Sequence, residues 1–223
     1  TNLTQIVAGV ELKIDIAPDN SSSAADALFT DTVTLENYSN YLVFAEGIVG
    51  DADAPFGLSI SDNVKLETND PDQAEFLIHH GSPDAPAIDL GERNESLFIT
   101  DLAFRETSEE YVALETRIYF LSLYSNGSQD EFKTYLAGLN GFDGLLGVVY
   151  ATGLVDNTGP ENEFRLLLVL PNGQTFELPE LQFSNVQILH NSPDPAVDVF
   201  ISGTKVMEGL EIRQATQPFE LAT

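Results

Sequence analysis

The stretch HGSPDAPAIDL, His80 to Leu90, decides how this chain is read, because HNSPDPAVDVF repeats it from His190 to Phe200. Histidine, serine and aspartate lie close together in both copies. A serine nucleophile needs a base on its hydroxyl and an acid that orients the base. Ser82 stands two residues after His80, and Asp84 two further on. Neighbours that close on an extended chain rarely converge as a triad, and no glycine-rich oxyanion loop adjoins them.

A turn accounts for more of the residues. Pro83 presets φ for the first central position of a β-turn, and Ser82 can bond the backbone ahead of it. Pro86 and Pro195 hold the next stretch extended and donate no ladder bond. His80 and His190 end the incoming strand, where an imidazole can tie the turn through its ring nitrogens. Ser192, Pro193 and Asp194 take the same roles in the second copy. Asp89 and Asp198 alternate with Ile88/Leu90 and Val197/Val199, so they face the opposite side. Arg105 and Arg213 follow at matching places, 16 and 15 residues later. The spacing predicts an Asp–Arg clasp on the sandwich edge, Asp89 with Arg105 and Asp198 with Arg213.

Around the motif the chain alternates by two. VELKIDI puts Val10, Leu12, Ile14 and Ile16 on one face, and RIYFLSLY, YLVFAEGIV, GVVYATGLV and FRLLLVL are short β-rich runs. Asn126-Gly127 and Asn172-Gly173 are hairpin turn pairs. No helical stripe persists for three turns. The expectation is an all-β chain of immunoglobulin-like antiparallel β-sandwich repeats.

Two further matches set the repeat length. LVFAEGIV (42–49) matches VVYATGLV (148–155), and LAFRETSEEY (102–111) matches LEIRQATQPF (210–219). With the motif itself the offsets are 106, 108 and 110, so the unit is roughly 110 residues. A unit that begins at the strand before the motif gives one complete sandwich, 75–184. Residues 1–74 then match the later part of a unit, and residues 185–223 the beginning of another. Half a sandwich exposes an apolar face and unpaired edges. Three outcomes follow: the two ends complete a unit within one chain, they complete one between neighbouring chains, or the chain was cut from a longer array and its ends pair differently. Between chains the joint is heterologous and builds a fibre unless a rotation closes it.

On SPDAPAID, followed by L-x-F-R-x-x-S-x-x-Y and VVYATG, the chain resembles the bacterial and archaeal domain-of-unknown-function family 4397. The resemblance implies exported, repeated β-sandwich modules of cell-surface proteins and no established catalysis. It lacks a leading SPDAP copy, and the second motif loses an alanine.

Composition narrows the partners. Thirty-six acidic and nine basic residues give a formal charge of −27. Such a surface repels nucleic acid and anionic membrane and suits a salty or calcium-containing exterior. No apolar run reaches membrane-span length. Cysteine is absent, and three histidines are too few and scattered for a closed zinc site. Acidic loops offer oxygen ligands for calcium, with Asp51, Asp53, Asp156 and Glu161 as candidates. The reading is an extracellular, non-enzymatic structural or adhesive repeat protein whose partners are copies of itself. Its rivals are a calcium-stabilised module binding surface glycans or proteins, and a secreted hydrolase.

Overall fold

The computed structural model describes residues 8–128, 130–156 and 159–222. Every regular element is a strand except one 3₁₀ turn, Ala24–Asp26, whose start is capped by the Ser23 hydroxyl. No helix among the described residues is long and apolar enough to cross a membrane. The chain forms two compact units, Thr1–Glu180 and Leu181–Thr223. Strands before residue 74 thus belong to the same unit as those after it.

In the first unit four strands come before the motif: β1 (Glu11–Ile16), β2 (Phe29–Thr34), β3 (Leu42–Glu46) and β4 (Gly57–Ser61). They form two separate ribbons, β1–β2 and β3–β4. The following strands are β5 (Gln73–His80), β6 (Ile88–Glu92), β7 (Leu97–Leu102), β8 (Val112–Glu115), β9 (Ile118–Ser125), β10 (Glu131–Gly138), β11 (Leu146–Thr152), β12 (Arg165–Val169), β13 (Thr175–Glu177) and β14 (Glu180–Leu181). They build two five-stranded sheets, ordered β14-β10-β9-β6-β7 and β13-β12-β11-β5-β8.

Period-two alternation gives each sheet an apolar inner face. Ile88, Leu90, Leu121, Leu123 and Tyr135 from one sheet share a single core with Phe76, Ile78, Val149, Ala151 and Leu166 from the other. The pair is sandwich-like, but it is not purely antiparallel as expected. β5 runs parallel to β11, with Val149 opposite Ile78 and Ala151 opposite His80. Parallel neighbours need a long crossover. Here the chain between them builds β6, β7, β9 and β10 of the other sheet, and β8 beside β5, which together supply one.

β5 is buried on both faces. Phe76 and Ile78 point into the core, while Glu75, Leu77 and His79, on its other face, are 1%, 0% and 0% exposed. Part of that outer cover is the β3–β4 region. Lys65 reaches Glu75 at 2.6 Å, and Phe44 stacks on His79. Burial raises the Glu75 carboxyl. Hydrogen bonds from Lys65 and the Asn69 amide, with the Lys65 charge, outweigh burial and hold it below the usual carboxylate range.

The second unit holds β15 (Phe183–Val186), β16 (Leu189–His190), β17 (Val197–Ile201), β18 (Thr204–Leu210), β19 (Gln214–Ala215) and β20 (Phe219–Ala222). They pair as three ribbons, β15–β20, β16–β19 and β17–β18.

Two loops show why glycine stands where it does. Gly47 and Gly153 have φ of +88° and +85°, and a Cβ on either would strike a carbonyl oxygen, of Pro55 and of Glu163 respectively. Gly127 also has positive φ, at +70°, but open space around it. Gly153→Ala therefore combines backbone strain with a clash and is expected to cost about 3 kcal/mol. Gly127→Ala is expected to cost about 1 kcal/mol, the strain alone. Urea unfolding of the two variants checks the difference.

Candidate functional site: the strand-end motif and a buried histidine

His80 closes β5 with its ring fully buried. Nδ1 accepts the Ser82 N–H at 3.2 Å, and Nε2 lies 3.0 Å from the Pro86 carbonyl. A carbonyl only accepts, so the proton sits on Nε2 and the ring is neutral. Burial depresses its pKa, and the nearby His79 adds to this. The Pro86 bond and the carboxylates of Glu46 and Glu106 oppose it without prevailing. The Ser82 hydroxyl does not bond the backbone ahead, as the turn reading expects. It donates to Asp84 at 3.3 Å. Asp84 in turn accepts the amides of Val155 and Asp156, both at 2.9 Å, and so ties the motif to the β11–β12 loop.

The expected clasps are not made. Asp89 accepts the backbone amides of Asp101 at 2.7 Å and Gly127 at 3.2 Å. Arg105 instead donates Nη2 to the Pro55 carbonyl. Asp198 takes Lys205 Nζ at 2.7 Å and the Gly209 amide at 2.9 Å, which lower its pKa. The Arg213 side chain has no ion pair among the described residues. What recurs at the arginines is backbone. Both have left-handed φ, +72° and +62°, and both donate N–H to the motif histidine's carbonyl, at 2.7 and 2.6 Å. The aspartates, too, have backbone amides as their shared partners.

Other bonds recur between the copies. The His190 ring lies 3.1 Å from the Pro195 carbonyl, as His80 lies beside that of Pro86. Ser108 and Thr216 each donate an amide to an isoleucine carbonyl, Ile78 and Ile188, and accept that isoleucine's amide on the hydroxyl. Ser192 and Asp194 are exposed, whereas Ser82 is fully buried.

The most enclosed polar cluster lies one residue earlier than the motif. His79 Nε2 meets Glu46 Oε2 at 2.9 Å, and Nδ1 meets the Thr107 hydroxyl at 2.8 Å. Phe44 stacks on the imidazole with centroids 3.6 Å apart and planes 2° from parallel. Tyr150 stands at 5.4 Å, and the Ser59 hydroxyl donates to Glu46. The order hydroxyl, imidazole, carboxylate is that of a nucleophile relay. The histidine is wholly enclosed, however, and each of its ring nitrogens is already engaged. Sequence reasoning passed over Glu46 because it looks like any exposed acid on an alternating strand. One signal was available: where the matched segments read Phe44-x-Glu46 and Tyr150-x-Thr152, the position of His79 is Leu189 in the other motif.

Two of the clefts formed by the described residues lie on the first unit. One, of about 450 Å³, runs between Ala45–Val49 and Tyr150–Leu154. The other, of about 710 Å³, lies between β7 and residues 106–112 and collects Asp101, Glu106, Glu109 and Glu110. Among the described residues no group of three or more histidines and carboxylates is placed to hold a metal ion. Of the calcium candidates, Asp51 accepts the amides of Asp53 and Ala54, at 2.8 and 2.9 Å, and its pKa is lowered by those bonds, that from Ala54 first. Asp156 offers its amide to Asp84, and Glu161 lines the smaller cleft. Residues 157 and 158 between them lie outside the described residues.

No family model, curated protein or solved structure matches the chain.

Glu46→Ala strands His79 without its acceptor and is expected to destabilise the protein by about 3 kcal/mol in urea titrations. A neutral folded His80 contributes stability fully above its unfolded pKa of 6.5, and that contribution is lost as pH falls through the lower folded value. Ring NMR shifts are expected to show His80 neutral, with its proton on Nε2, below pH 6.5. A His80 pKa at or above 6.5 would contradict this geometry.

Proposed function

We propose that the chain is a non-enzymatic structural repeat protein of the cell exterior, built of immunoglobulin-like sandwich units, which assembles head to tail by completing half-units between copies. One observation carries this reading. The sandwich of β5–β13 is joined along two seams, β5 beside β11 and β6 beside β9. The flanking segments hold the strands that lie on opposite sides of those seams.

Ahead of the sandwich, β3–β4 copies β11–β12 in detail. Ile48 pairs with Pro55 in an isolated parallel bridge, as Leu154 does with Glu163. The ribbon β1–β2 precedes β3 as β9–β10 precedes β11. After the sandwich, β17–β18 pairs Val197 with Leu210, as β6–β7 pairs Ile88 with Leu102. β16–β19 pairs Leu189 with Ala215, as His79 bridges Thr107. Among the described residues each flanking ribbon is two-stranded, with no strand hydrogen-bonded at the seam position. Val43 is 47% exposed, while its counterpart Val149 is 5% exposed. Open apolar faces and edges of this kind drive association.

The enclosed His79 supports a fastening role for the hydroxyl–imidazole–carboxylate chain rather than hydrolysis. The charge of −27 opposes association at low salt and is screened at high salt, which fits an exterior setting.

Sedimentation and electron microscopy of the full chain test the reading. Assembly is expected to grow with protein concentration, and to strengthen as salt rises from about 0.05 to about 0.5 M, where the Debye length shrinks to a few ångströms. A particle that stays at 24.3 kDa under all these conditions would refute it.

A further inference from the structure

The complete sandwich supplies a template for where an incoming strand would sit. Val149, Tyr150 and Ala151 of β11 stand opposite Ile78, His79 and His80 of β5. Transferred to the counterparts, Val43, Phe44 and Ala45 of β3 stand opposite Ile188, Leu189 and His190. Beside this open edge lies the cleft of about 450 Å³ between Ala45–Val49 and Tyr150–Leu154.

Three features of that cleft match the segment around β16. The first is the seat of the side chain at position 189. Phe44 and Tyr150 are counterparts, and their ring centroids lie 5.6 Å apart. Exchanging each residue for its counterpart turns the His79 seat, formed by Phe44 with Glu46, into a second seat formed by Tyr150 with Thr152. The residue assigned to that second seat is Leu189, 71% exposed in the free unit. Histidine faces a carboxylate in one seat, and leucine faces Thr152, which carries no charge, in the other. The two differences compensate.

The second feature is a pair of amides. Asp84 accepts the N–H groups of Val155 and Asp156. Their counterparts, Val49 and Gly50, have no acceptor among the described residues, and the carboxylate of Asp194 has no donor there. An anion and two unpaired amides are electrically complementary.

The third is charge. Arg105 reaches the Pro55 carbonyl, and its counterpart Arg213 would reach that of Glu163, beside the carboxylates of Glu161 and Glu163. Arg165, which stands where the other loop has Gly57, already spends its charge on Glu177.

Resting on the completion of half-units between copies, we propose that residues Gln187–His190 of a second copy add in parallel to Leu42–Ala45, with Leu189 over Tyr150 beside Thr152 and Asp194 on the amides of Val49 and Gly50. Each copy then presents one acceptor edge and one donor segment. The joint is directional, and it propagates as a filament unless a rotation closes it.

The chain has no native cysteine, so engineered pairs report the register directly. Chains carrying Val43→Cys or Ala45→Cys are mixed with chains carrying Ile188→Cys or His190→Cys and oxidised. Positions 43 with 188 and 45 with 190 are expected to give disulfide-linked dimers. The crossed pairs, 43 with 190 and 45 with 188, sit two residues out of register, about 7 Å further along the strand and beyond disulfide reach. Should the crossed pairs link instead, or no pair link while the wild type still assembles, this docking is overturned and head-to-tail completion stands. A Val43→Cys/Ile188→Cys chain that closes on itself as a monomer overturns the second copy as occupant. Absence of any assembly at any concentration removes both. Asp194→Ala is expected to weaken assembly at least tenfold while leaving the unfolding midpoint unchanged. Unchanged assembly would overturn the amide seat.

Discussion

A β-strand needs a neighbour at each edge and cover on each face, and β5 is the strand on which this constraint acts hardest. It has β11 on one side and β8 on the other, a shared core beneath and the β3–β4 region above. That closure buries two polar residues, Glu75 and His79, away from the surface. Each is tolerable only because a partner arrives from the preceding segment, Lys65 for one and Glu46 for the other. The segment ahead of the sandwich is therefore fastened to it by an ion pair, a buried hydrogen bond and a stacked ring.

The same constraint gives the repeated motif its meaning. In the first copy every polar group of the turn has a local task. His80 bridges the Ser82 amide and the Pro86 carbonyl, and Asp84 holds the loop after β11. In the second copy the inner bonds persist, notably His190 to Pro195 and Arg213 to the His190 carbonyl. The outward ones, through Ser192 and Asp194, have no counterpart among the described residues. In the first copy the motif and the loop that follows β11 are held together through Asp84.

Much of this was legible in the residues. Period-two alternation and Asn-Gly turns give the all-β class, and matched segments at nearly constant offset give the copied turns. The Asp–Arg clasp failed for a definable reason. Aspartate and arginine recur because both serve the backbone, Asp89 as acceptor for two amides and Arg105 through its left-handed φ, and spacing along a chain carries no record of φ. The parallel pairing of β5 with β11 was equally hidden, because parallel and antiparallel strands alternate alike. Glu46 was invisible for a third reason. Its burial comes from a strand that follows it by about 30 residues.

The sequence by itself determined the all-β kind of structure, since alternation and turn chemistry are local properties written in neighbouring residues. Only the tertiary structure decided which polar groups are enclosed, which partners they take and where the open edges lie. Those outcomes depend on which strands become neighbours in space. Pairing between distant strands is set by the fit of whole faces, and no short stretch of sequence contains it.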